Sequence, residues 1–241
     1  MSSSAARGTV RGMVPALTKM RWPRVRDHLA VGASTGYMSS QRGDWDALTR
    51  TAAEESLGAV ELSALSEPEL PGLIEWLDAG PSLPFRWVAA HAPTKARAMS
   101  EVALVAMLAR LSPHVEAIVM HPDTMSEATL YRPLGSKLVV ENMDTRKPIG
   151  QRADQLRRIF DDLPEARLCF DVAHASSVDS SMREGERILE YFGTRLSHVH
   201  VSSLDERCHH VPLTEGDEER FGPLLDRCRD VPWILEAPLR H

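Results

Sequence analysis

Cysteine is scarce: Cys169, Cys208 and Cys228 are the only three in 241 residues, odd in number and far apart. Such usage excludes a disulfide framework and fits a reducing cytoplasm. Aromatic residues make up only 5% of the chain, which weighs against a surface built to grip DNA. No apolar run is long enough to cross a bilayer, the longest candidate (102–111) being short and carrying Arg110. The N-terminus lacks the continuous apolar core of a secretory signal. No Gly-rich phosphate turn follows the first candidate strand, where Ala33-Ser-Thr-Gly-Tyr37 stands in place of GxGxxG. There is no P-loop and no Ser-His-Asp nucleophile signature.

Positive charge is also short outside one segment. Residues 1–26 hold six of the 28 basic residues and no acid, leaving 22 against 34 acidic residues in the rest. An acidic body of formal charge −12 argues against tight polyanion binding, because phosphate contacts supply most nonspecific nucleic-acid affinity. The basic segment 1–26 reads either as a flexible tail or as an ordered stretch packed on the domain formed by 27–241.

What is present is a repeated unit: a short apolar run ending in a polar residue, then a helical stretch. Candidate strands are 29–33, 59–63, 86–91, 117–121, 137–141, 167–171, 197–201 and 232–236. Candidate helices lie near 44–56, 67–78, 100–111, 125–131, 150–162, 182–192 and 218–228. Strand ends recur roughly every 30 residues, the size of one βαβ unit, which predicts a single α/β domain, a (β/α)8 TIM barrel. Only five residues follow Glu236, so a regular eighth helix is expected to be missing. Bare apolar strand surface is unfavourable. Residues 10–26, including Met13-Val-Pro-Ala-Leu17, or a second subunit are therefore expected to cover the last strand.

The chemistry sits at the strand ends. His91, His121, Glu141, Asp171 with His174 beyond it, His200 and Glu236 stand at or near the ends of the third to eighth candidate strands. In a TIM barrel that end is the mouth where active sites form. Clustered carboxylates there repel one another unless protonated or neutralised by a cation. Imidazole with carboxylate suits Zn²⁺, Mn²⁺ or Fe²⁺ better than Mg²⁺ or Ca²⁺. One to three such ions are expected, zinc foremost. Cys169 is expected to line the barrel interior beneath the metal. His198 is expected to face the helix layer, away from His200, and His209 the surface. Trp45, Trp76 and Trp87 read as packing residues, and Ser39, Ser40 and the Ser176–Ser181 run as loop.

The motifs His91-Ala-Pro93, His121-Pro122, Val140-Glu141-Asn142, Cys169-Phe-Asp171-Val-Ala-His174, His198-Val-His200, His210-Val-Pro-Leu-Thr-Glu-Gly-Asp217 and Leu235-Glu236-Ala-Pro238 together resemble the xylose isomerase-like TIM-barrel superfamily. That superfamily includes endonuclease IV-type nucleases and sugar isomerases and epimerases. The isomerase branch implies one metal on Glu141, Asp171, His200 and Glu236, with Glu141 and Glu236 as proton shuttles. The endonuclease IV-like branch implies three zinc ions. His91, His121 and Glu141 would hold the first; Glu141, Asp171, His200 and Glu236 the second; His174 and His210 the third. The third also needs a carboxylate two residues before His210, where this chain has Cys208.

The additional histidines favour the branch with several metals, and thus a divalent-metal-dependent hydrolase of a phosphoester on a small molecule or nucleotide, with hydroxide generated at the metal as nucleophile. DNA is not favoured as the partner, because Thr94 stands where the nucleases place an aromatic wedge. Lys95, Asn142 and Arg146 are candidate substrate-binding residues, and Arg97, Lys147 and Arg152 lie near them as further cations. The competing readings are a sugar or sugar-phosphate isomerase or epimerase, and a barrel that binds metal without turnover.

Overall fold

Runs such as Leu138-Val-Val140 and Ala117-Ile-Val-Met120 are apolar at successive positions, the pattern of strands covered on both faces. The computed structural model describes residues 22–238 and closes eight of these runs into a parallel barrel. They are β1 (Val31–Ser34), β2 (Ala59–Ser63), β3 (Val88–His91), β4 (Ala117–Met120), β5 (Leu138–Glu141), β6 (Arg167–Asp171), β7 (Leu196–Val201) and β10 (Trp233–Leu235). A small antiparallel hairpin, β8 (Ser203–Leu204) and β9 (His210–Val211), is inserted between β7 and β10. β1 pairs with both β2 and β10, so the ring is complete and the TIM-barrel expectation is met. The β1–β2 approach is so close that a Cβ on Gly32 would lie 2.3 Å from the Ala59 carbonyl oxygen, a position only glycine can fill.

The helices are α1 (Pro23–Arg26), α2 (Trp45–Glu55), α3 (Glu69–Asp78), α4 (Glu101–Leu111), α5 (Ala153–Asp162), α6 (Val172–Val178), α7 (Arg183–Phe192) and α8 (Glu215–Asp226). Asp44 caps α2 and Ser100 caps α4 by accepting a backbone N–H three residues on. Two expectations need correction. The β4–β5 crossover is not an α-helix near 125–131 but a 3-10 stretch, Ala128–Lys137, in which Pro133 and the positive φ of Gly135 break the regular ladder. Ser176 and Ser177, read as loop, lie in α6 because Asp171 caps a helix directly off β6.

Two apolar layers hold the barrel. The larger lies between strands and helices and includes Leu62, Val140, Phe170, Leu235 and the helix residues Leu73, Leu108 and Ile188. The smaller comprises Ala89, Ala117, Val119, Val139 and Cys169, closed by Trp87. Members of the smaller layer sit two apart within a strand, as side chains sharing a face must. They fill the lumen, and Cys169 lines the barrel interior as expected. Trp45 and Trp76 pack between α2 and α3 with ring centroids 6.5 Å apart.

Among the described residues no helix follows β10, and none is long and apolar enough to cross a membrane. Trp22 and Val25 are buried in the same layer as Trp233, and the His28 ring stacks on Trp233 at 4.1 Å. Arg24 pairs with Asp226 (3.2 Å) and Glu218 (3.5 Å), tying α1 to α8. Residues 1–21, and with them Met13–Leu17, lie outside the described residues.

This packing carries a pH-dependent contribution. Burial pushes His28 down from its ordinary value near 6.5 to about 4, and its Nδ1 accepts the Ala30 N–H, which requires the neutral ring. The unfolded chain therefore binds the proton first. Stability from this ring is complete above about pH 6.5 and lost as pH falls toward 4. His28→Asn is expected to flatten the fall in thermal midpoint over that window. An unchanged slope would show that His28 does not contribute.

Candidate metal centre at the barrel mouth

Period-two alternation along parallel strands turns the strand-end residues inward, and the ring brings them together. Three overlapping groups result: His91, His121 and Glu141; Glu141, Asp171, His200 and Glu236; and Asp171, His174 and His210. Within each group the candidate ligand atoms lie within 4.8 Å of one another. Glu141 belongs to the first two groups and Asp171 to the last two.

Hydrogen bonds around the groups orient their lone pairs. His91 Nδ1 lies 2.9 Å from the Ala92 carbonyl and donates to it, so Nε2 of the neutral ring is bare. That Nε2 is 3.4 Å from Glu141 Oε2, and His121 Nε2 is 3.2 Å from the same oxygen. His174 Nδ1 likewise donates to the Asn142 carbonyl at 2.9 Å. Asp171 accepts the His174 N–H on Oδ1 as the cap of α6, leaving Oδ2 turned into the cluster. His200 Nδ1 is 3.3 Å from Glu141 Oε1 and 3.4 Å from Glu236 Oε1, and His210 Nδ1 is 3.1 Å from Glu236 Oε2.

The fit to a cation rests on what these atoms lack. Glu141 Oε2, Asp171 Oδ2 and Glu236 Oε2 are buried carboxylate oxygens with no hydrogen-bond donor. A buried, unsatisfied acceptor is costly, and a carboxylate more so. Three such oxygens facing imidazole nitrogens form a donor set suited to a divalent first-row metal. Without one, protons compensate. Burial alone would lower His174, but Asp171 and Glu141 outweigh it and raise the ring to about 10. Burial raises the Glu236 carboxyl well above the usual range, whereas His200 and His121 overcome the burial of Glu141 and hold it well below.

Other expected site residues are placed differently. Cys208 is not in the His174–His210 group. It sits in the β8–β9 turn at φ 54°, and its Sγ lies 3.7 Å from Thr145 Oγ1. Asn142 donates from Nδ2 to the Asp171 carbonyl (2.9 Å) and accepts the Asp171 N–H on Oδ1 (2.8 Å), stapling the end of β5 to that of β6. Arg146 is bound to both oxygens of Asp144 and donates to the Arg207 carbonyl, while Lys147 pairs with Asp123 at 2.8 Å. Arg97 donates to the Thr124 carbonyl and Arg152 pairs with Asp154. Lys95 is exposed. His209 is exposed and pairs with Asp205.

One orientation differs from expectation. His198 does not face the helix layer: two positions from His200 on one strand, it shares that residue's face, and the rings lie 5.2 Å apart. Its ring meets Trp87 inside the barrel at 4.9 Å. With Cys169 and His200 it forms a further buried group of donor atoms below the mouth. Two further acids join the site from positions that no strand-end pattern marks. Glu61 is fully buried, with Oε2 2.9 Å from His200 Nε2. Asp144 is 1% exposed, with Oδ2 3.8 Å from His174 Nε2. The signal for Glu61 was a lone charge inside the apolar run Ala59-Val-Glu-Leu-Ser63.

The family model for the xylose isomerase-like TIM barrel matches residues 120–240, half of the chain. The chain belongs to this family. Two solved structures share the fold of this xylose isomerase-like barrel. One is the apo form of 3-keto-D-glucoside 4-epimerase, YcjR, from E. coli (TM-score 0.55, 13% identity, covering 88% of this chain and 93% of that one). The other is an AP endonuclease, family 2, from Brucella melitensis (TM-score 0.50, 14% identity, covering 86% and 91%). At such identities the likeness is one of fold. No curated protein matches the chain in sequence.

Proposed function

We propose that this xylose isomerase-like barrel is a divalent-metal-dependent hydrolase acting on a phosphoester of a small molecule or nucleotide. The carrying observation is that the three donor groups are joined through shared carboxylates, Glu141 and Asp171, as a site for several neighbouring cations requires. Bound there, zinc or another divalent ion would supply an activated water and Lewis acidity toward the phosphoryl oxygens. Within this reading His91, His121 and Glu141 hold one position, Glu141, Asp171, His200 and Glu236 a second, and Asp171, His174 and His210 a third. Asn142 fixes the Asp171 backbone, and hence the direction of a carboxylate serving two positions. Arg146 ties Asp144 to the hairpin turn, so the wall beside His174 is built before substrate arrives. Lys95, exposed beside the mouth, remains the candidate for a substrate phosphate. A small substrate is favoured over duplex DNA, since Arg97, Arg146, Lys147 and Arg152 each have a protein partner.

One observation favours an isomerase or epimerase instead. Glu141 and Glu236 approach the same nitrogen of His200 from two directions, at 3.3 and 3.4 Å. A pair of carboxylates with opposed protonation preferences can pass a proton between adjacent carbons, taking it with one and returning it with the other.

Metal content per chain, measured after purification without chelator, separates the readings. Two or three ions, together with hydrolysis of p-nitrophenyl phosphate or its diester that stops on chelation, is the expected result. One ion per chain with no hydrolysis would favour the proton-shuttle reading. No metal, and no turnover on adding Zn²⁺, Mn²⁺ or Fe²⁺, would leave only the binding role.

A further inference from the structure

His200 is held from two opposite sides, and only one side belongs to the donor groups at the mouth. Its Nδ1 faces Glu141 and Glu236; its Nε2 faces Glu61 Oε2 at 2.9 Å. Glu61 lies in the middle of β2, fully buried, on the far side of the ring from the mouth. Its surroundings are sparse for a buried carboxylate. Ser34 Oγ donates to Oε1 at 3.3 Å and is itself backed by Ser63 at 2.9 Å, while His198 Nε2 stands off at 3.7 Å. No lysine or arginine pairs with it among the described residues. Burying a carboxylate this deeply is unfavourable unless its partner contact is specific.

The contact decides a tautomer. A neutral imidazole carries one N–H, and a carboxylate at 2.9 Å on Nε2 takes it, leaving Nδ1 as a bare acceptor. That nitrogen is directed among Glu141, Asp171 and Glu236, where it carries a second proton in the metal-free chain and is a bare acceptor once a metal ion takes that proton's place. We propose that Glu61 is a positioning residue that locks His200 in the Nε2–H tautomer and presents Nδ1 as a metal ligand. The negative charge of Glu61 also makes Nδ1 more basic and its bond to a cation stronger. The proposal rests on reading the mouth as a metal centre, and it adds a residue on β2, a strand that supplies none of the three donor groups.

The test is Zn²⁺ affinity by chelator competition in the full-length chain, wild type against Glu61→Gln, with far-UV circular dichroism as the folding control. Gln keeps the volume and an acceptor oxygen but removes the charge. Affinity is expected to fall roughly 10- to 100-fold, the usual cost of losing a carboxylate behind a metal-bound histidine. A folded variant whose affinity stays within about twofold of wild type overturns the proposal. A second measurement needs no variant: ¹⁵N-resolved imidazole NMR of the zinc-loaded wild type. A protected Nε2–H with an unprotonated Nδ1 on His200 is expected, and the opposite tautomer overturns the proposal even if the variant fails to fold. Failure of the wild-type chain to take up Zn²⁺, Mn²⁺ or Fe²⁺ overturns the metal-centre reading and this proposal together. Uptake with unchanged affinity in the variant overturns this proposal alone.

Discussion

Glu141→Gln is expected to cost the protein metal as well as activity, with fewer ions per chain and turnover reduced at least roughly 10³-fold. The carboxylate is the joint of the site. Oε2 lies 3.4 and 3.2 Å from Nε2 of His91 and His121, and Oε1 lies 3.3 Å from both His200 and His174. Gln has nearly the same shape but replaces one acceptor with an NH₂ group, whose hydrogens would point where one donor group needs a lone pair, and it removes the negative charge that both groups share. Removing one shared ligand therefore weakens two positions at once. Elemental analysis beside a hydrolysis assay checks this, with circular dichroism showing that the variant is folded. Full occupancy with unchanged turnover would remove Glu141 from both the metal centre and the mechanism.

The gathering of the candidate residues was legible because barrel geometry converts a linear pattern into a spatial one. His91, Glu141 and Asp171 each end a strand, and parallel strands in register bring such ends to one mouth. Residues away from the strand ends lie outside that rule. Glu61 lies inside β2 rather than at its end, where the strand-end pattern carries no information. His198 was misplaced although alternation alone puts it on the face of His200. Cys208 drew attention by its spacing from His210, but a two-residue offset means little in a turn, where φ 54° at Cys208 redirects the side chain to Thr145. Asn142 and Arg146 looked like groups for a substrate. Most of their hydrogen bonds go instead to the Asp171 backbone, to Asp144 and to the Arg207 carbonyl, which no local pattern encodes. The 3-10 crossover before β5 was foreshadowed by Pro133 and Gly135, residues that break a helix more reliably than their neighbours build one.

Metal removal is expected to have the largest effect on stability. A chelator-treated sample should melt below one saturated with Zn²⁺, because a cation that binds only the folded chain stabilises it by about 2.7 kcal/mol at a hundredfold excess over Kd. In a chain of this size that corresponds to a Tm gain of roughly 5–10 °C for each independent position filled. The gain should depend on pH in a defined direction. In the metal-free chain Asp171 and Glu141 overcome burial and raise His174 to about 10, so at neutral pH a proton occupies a ligand that zinc must claim. Binding then releases protons, and apparent affinity strengthens as pH rises toward that value and weakens in acid. Differential scanning calorimetry at pH 6 and pH 8, with and without zinc, tests both parts: the Tm difference should be larger at the higher pH. Identical melting with and without Zn²⁺, Mn²⁺ or Fe²⁺ at both pH values would mean that protons alone reconcile the buried carboxylates, and that the mouth of this barrel binds no metal.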